Sequence, residues 1–117
     1  MATIKSYSDL PQSKKLAEIL PLESADMWYQ YTGISIKDGS KKPIYFPMVI
    51  RDCESDEDVP CWSLTALLDV LPNENMLVKT TDGEYYCLAK DIMTKHYDNP
   101  VDACYEMIIK LHELNLL

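Results

Sequence analysis

Two segments of this chain end in the same way. Leu16-Ala-Glu-Ile-Leu-Pro-Leu-Glu and Leu67-Leu-Asp-Val-Leu-Pro-Asn-Glu each run an amphipathic turn into Leu-Pro and then Glu, ahead of a methionine (Met27, Met76). Proline has no backbone N–H and clashes with the preceding turn, so Pro21 and Pro72 each stop a helix. The first helix opens at Ser8 or Asp9, places Pro11 in its first turn, and shows an apolar face at Leu16, Ile19 and Leu20. The second is expected from about Cys61 to Leu71, with Leu64, Leu67, Leu68 and Leu71 at helical spacing.

After each proline stop the pattern changes to strand. Met27 to Thr32 is rich in aromatic residues that suit a pleated sheet. Gly33 interrupts, Ile34-Ser35-Ile36 resumes the alternation, and Asp38-Gly39 marks a reversal. Ile44 to Ile50 is apolar on both faces, which predicts burial on two sides, while Pro47 points to an edge or a bulge. In the second half, Met76–Thr81 and Glu84–Lys90 flank Asp82-Gly83, a strong hairpin signal, and Ile92–Tyr97 adds a short fifth strand. A last helix starts at Asn99 as cap, with Pro100 first and Asp102 in its first turn, where the helix dipole favours a carboxylate. Val101, Cys104, Tyr105, Ile108, Leu111 and Leu114 form its apolar stripe.

The order is αββαββα. It predicts one α+β domain over residues 1–117, an antiparallel sheet of four to five strands with three helices packed on one face. The repeated helix-to-strand pattern is either a weak internal duplication or two uses of one connection.

Charge narrows the partners. Lys and Arg total 11 against 19 Asp and Glu, a net charge of -8. Such a chain repels phosphate backbones, so direct nucleic-acid binding is not expected, and Lys14-Lys15 and Lys41-Lys42 are pairs rather than stripes. No apolar run reaches the roughly 20 residues of a membrane span, and the first residues lack a signal-peptide core, which places the protein in a cytoplasm. Cys53, Cys61, Cys87 and Cys104 sit in unlike contexts; buried thiols are the expectation for Cys87 and Cys104, rather than a disulfide framework.

The densest local feature is Asp52, Glu54, Asp56, Glu57 and Asp58. The alternation at the first three resembles a calcium loop without its glycine, so no metal or other cofactor is expected. The run reads either as partner-binding acid or as a solvated loop. Trp28, Tyr31 and Tyr86 join it as candidate contact residues, because Tyr and Trp on strand faces are favoured interface anchors. No catalytic constellation stands out. Ser63 lacks a glycine-flanked elbow, and His96 has only Asp91 or Asp98 as a conceivable acid–base mate. Cys61, placed at a helix start that lowers thiol pKa, is the most plausible reactive cysteine.

Three blocks are distinctive together: Ser13–Asp26, Pro60–Pro72 and Asn99–Leu117. They resemble a group of small uncharacterised proteins of gut anaerobic bacteria and of their phages and mobile elements. The resemblance covers about half of the chain, implies a phage or mobile-element origin, and carries over no activity or catalytic residue. The expectation is a non-enzymatic module that binds a protein partner. The alternatives are an acidic inhibitor mimicking nucleic acid and a small-molecule or enzymatic site near Cys61 and His96; oligomeric state stays open.

Overall fold

A computed structural model describes residues 5–37, 40–48 and 57–117. Its elements, in chain order, are α1 (Leu10–Ile19), a 3-10 turn (Leu22–Ser24), β1 (Met27–Lys37), β2 (Ser40–Met48), β3 (Val59–Cys61), α2 (Leu64–Val70), β4 (Met76–Lys79), β5 (Tyr85–Ala89), β6 (Ile92–Met93) and α3 (Pro100–Glu113). The class is α+β as expected, but the strands form two antiparallel three-stranded sheets, β2-β1-β3 and β4-β5-β6, rather than one sheet of four or five. The chain divides into two compact units: residues 9–62, and a second unit made of residues 1–8 with 63–117.

In the unit from Asp9 to Trp62, α1 begins with a reciprocal cap. The Asp9 carboxylate accepts from Gln12 N at 2.9 Å, and the Gln12 side chain accepts from Asp9 N at 3.1 Å. Such a box satisfies backbone N–H groups that a helix start leaves open. Leu16 and Leu20 are buried, and α1 packs against β3. The 3-10 turn after Pro21 leads into β1, a single strand through Gly33. The interruption expected at Gly33 is a bulge: Tyr31 pairs with Tyr45 and Gly33 with Ile44, so Thr32 is the extra residue.

β2 is an edge strand, which is where Pro47 can sit without breaking a ladder. Burial on both of its faces does not hold, since Phe46 is 55 % exposed and Met48 is also exposed. Val59-Pro60-Cys61, expected as loop and helix start, is instead a strand on the other edge of β1. Just beyond it Trp62 is fully buried, and its indole N–H donates to Ser24 Oγ at 2.9 Å. The reversal at Asp38-Gly39 and the segment 49–56 lie outside the described residues.

In the other unit, Tyr7 bridges Ser63, and Leu64 N donates to Ser6 O at 2.9 Å. Ser63 caps α2, accepting from Ala66 N at 3.2 Å; Ser is among the preferred cap residues, so the helix starts at Leu64, the first residue of its apolar spacing and three residues later than the expected start at Cys61. Leu67 and Leu71 are buried. The β4–β5 hairpin turns at Gly83, whose φ of 82° lies in the left-handed region that glycine enters without penalty. α3 is capped as expected by Asn99, which accepts from Asp102 N at 2.9 Å. It buries Val101, Ala103, Cys104, Met107, Ile108 and Leu111 and packs on α2, β4 and β5. Leu114, expected at the end of the stripe, is the C-cap and is exposed.

Candidate functional site

Strand alternation sorts the second sheet into two faces. On one, Tyr85, Cys87 and Ala89 of β5 turn toward α3, where Cys87 neighbours Cys104 of that helix. The other face carries Tyr86 and Leu88. The register sets Val78 beside Tyr86, and Met76 and Met93 on either side of Leu88. A sheet with one buried face normally reads apolar-in and polar-out. Here the outward row is apolar across all three strands. Met76 and Met93 are each 57 % exposed, and Val78, Tyr86 and Leu88 are partly exposed.

The two ends of this face are polar. At one end His96 stacks on Tyr86, with centroids 4.9 Å apart and planes at 13°, and its Nδ1 lies 3.8 Å from Glu84 Oε1. The mate of His96 is therefore Glu84, not Asp91 or Asp98. At the other end a hollow of about 430 Å³ is lined by Asn73, Glu74, Leu88, Ala89, Lys90 and Asp91. Glu74, Lys90 and Asp91 all hold positive φ there.

The remaining candidate residues fall elsewhere. In the first sheet Trp28 is half-buried and shares a face with Gln30, Phe46 and Met48 by register and alternation. Tyr31 is on the opposite face, edge-on to Tyr45 at 5.6 Å, with Lys14 Nζ of α1 5.7 Å from the Tyr45 ring centre. Of the acidic run, Asp52, Glu54 and Asp56 lie outside the described residues, and Glu57 is exposed. Asp58 is buried, and its Oδ1 accepts from Tyr31 N at 2.8 Å. It extends the β1–β3 ladder by one side-chain bond just before β3 begins. That carboxylate is tied to the sheet by this bond.

Cys61 sits fully buried in β3 rather than in the first turn of α2, so the physical reason for expecting a reactive thiol there is gone. Cys61, Cys87 and Cys104 carry thiols, not disulfides. The hydrogen bond between Cys87 and Cys104 splits their acidities. It lowers Cys87, against the opposing effect of burial, and it raises Cys104, with burial and the neighbouring Cys87 charge adding to the rise. Among the described residues no group of His, Cys, Asp and Glu could hold a metal ion, and no helix is long and apolar enough to cross a membrane.

A larger cleft, of about 640 Å³, is lined by Lys5, Ser63, Leu64, Lys79, Tyr85 and Asn99 among others. Its polar groups are engaged with one another. Lys5 Nζ is 2.8 Å from Asp102 Oδ1, Asn99 binds Asp98 and Asp102, and Lys79 Nζ lies 5.7 Å from the Tyr85 ring centre. None of these contacts is a nucleophile–base pair.

Sequence reasoning finds Tyr86 but misses Met76, Val78, Leu88 and Met93. The signal is present: Met76-Leu77-Val78 and Tyr86-Cys87-Leu88 are apolar on both faces, in a hairpin that packs on α3. No protein-family model matches the chain, and neither a curated protein nor a solved structure matches it.

Proposed function

We propose that this chain is a small non-enzymatic interaction protein that binds another protein through the outward face of its second sheet. The observation that supports this is the apolar row Met76, Val78, Tyr86, Leu88 and Met93, two of whose members are more than half exposed. Contiguous exposed apolar surface costs solubility and marks contact sites. Methionine adapts its shape to a partner, and tyrosine adds a rigid anchor with a polar tip. A phage or mobile-element origin accompanies this reading and rests on the three sequence blocks that carry the resemblance.

The test is a paired capture from a lysate of the source cell. Tagged parent protein and a Met76→Lys/Met93→Lys variant are compared, with circular dichroism to confirm that both fold. A stoichiometric protein held by the parent and lost by the variant supports the reading. Equal recovery with both removes the second sheet as the binding face.

A further inference from the structure

The apolar row alone does not say what covers it; its ends narrow the choice. The residues lining the hollow include two acids, Glu74 and Asp91, and one base, Lys90, beside Leu88. Glu84 stands at the opposite end beside His96. Acidic residues therefore flank the apolar surface at both ends, with Lys90 and Lys95 the cations close by in sequence and Lys79 of β4 turned to the other face over Tyr85, in a chain of net charge -8.

A side chain entering the hollow meets the apolar residues Leu88 and Ala89 together with the acidic residues Glu74 and Asp91. Arginine and lysine match that combination, because their long apolar stems pack on hydrophobic surface while the charged head stays at the polar edge. Complementary charge at the rim orients a partner and speeds its arrival, while the apolar centre supplies most of the affinity. A second copy of this chain would bring Glu74, Asp91 and Glu84 of its own to the same surface, with like charge repelling.

Resting on the reading of this face as a protein-binding surface, we propose that its occupant is a cationic amphipathic segment of a partner protein. Apolar side chains of the segment lie over Met76, Tyr86 and Met93, and an arginine or lysine head sits between Glu74 and Asp91.

Two synthetic amphipathic peptides with the same leucines test this, one carrying arginine on its polar positions and the other glutamate. Binding is followed by peptide anisotropy, and its location by the methyl carbon resonances of Met76 and Met93. The arginine peptide is expected to shift both methionines and to bind roughly tenfold more tightly than the glutamate peptide. Glu74→Lys/Asp91→Lys should remove most of that difference, and added salt should shrink it. Equal binding of both peptides at these methionines overturns the charge inference and leaves the apolar docking face standing. Methionine shifts that grow with protein concentration alone make a second copy the occupant and overturn the inference. Binding by neither peptide also overturns it; the lysate comparison with the Met76→Lys/Met93→Lys variant then decides separately whether the face binds protein at all.

Discussion

Replacing Asp58 by Ala tests the role assigned to the buried end of the acidic run. Asp58 is 8 % exposed, and its Oδ1 receives Tyr31 N at 2.8 Å, one step past the last β1–β3 backbone pair. Alanine removes a charge-assisted acceptor from an amide at the bulge of β1. Hydrogen bonds to charged groups contribute about 1.5–3 kcal/mol, and the amide loses this acceptor where water is scarce. We expect a loss of about 2 kcal/mol. With a urea slope of about 1–3 kcal/mol/M, the midpoint should fall by roughly 1 M. Trp62 fluorescence follows the transition, because that indole is fully buried in the same unit. Asp58→Asn keeps a neutral acceptor and should cost about half as much. Amide hydrogen exchange at Tyr31 should accelerate in the alanine variant. A stability within about 0.5 kcal/mol of the parent, or an asparagine variant as damaged as the alanine one, would refute the assignment.

Three further outcomes rest on single residues. Ser24→Ala takes from the buried Trp62 N–H the oxygen it reaches at 2.9 Å and should cost about 1–3 kcal/mol in denaturant unfolding. Asn99→Ala removes the α3 cap and the bonds to Asp98 and Asp102, with an expected loss of about 1 kcal/mol by thermal melt. Tyr97 is raised above the ordinary tyrosine value of 10.0 by burial and by the charges of Glu106 and Asp102. The folded state thus holds that proton more tightly than the unfolded one. Its contribution is present below pH 10.0 and is lost as pH rises through the folded value. Ultraviolet titration should show Tyr97 ionising above the ordinary tyrosine range, and Glu106→Gln should bring it earlier.

How legible the chain is depends on the range of the interaction. The starts of α1 and α3 are readable because Asp9, Asn99 and Pro100 act on neighbours within one turn. The β4–β5 hairpin is readable because Asp82-Gly83 supplies the left-handed position locally. Strand pairing is not, since nothing near Val59 announces that it lies opposite Tyr29, thirty residues earlier. The same gap makes Cys61 look helical: Pro60 resembles a first helical residue until β1 is there to pair with it. Asp58 misleads for a related reason. Its neighbours in sequence are acids, while its partner, Tyr31 N, is distant in the chain. The outward methionines are visible as letters, but only the register of three strands places Met76, Leu88 and Met93 in one row.

The bridge between Tyr7 and Ser63 also bears on the order in which the chain folds. The unit it closes is assembled from two stretches, and the whole of Asp9 to Trp62 intervenes. Closing a floppy loop of roughly fifty residues costs on the order of 3.5 kcal/mol in chain entropy, by the (3/2)RT ln n scaling. A segment that has already built α1 and its sheet is no longer floppy, so most of that entropy is lost before the bridge forms. The intervening unit is expected to organise first and the split one second. A destabilising change in the inserted part, such as the loss of Asp58, should then slow completion of a structure it does not belong to.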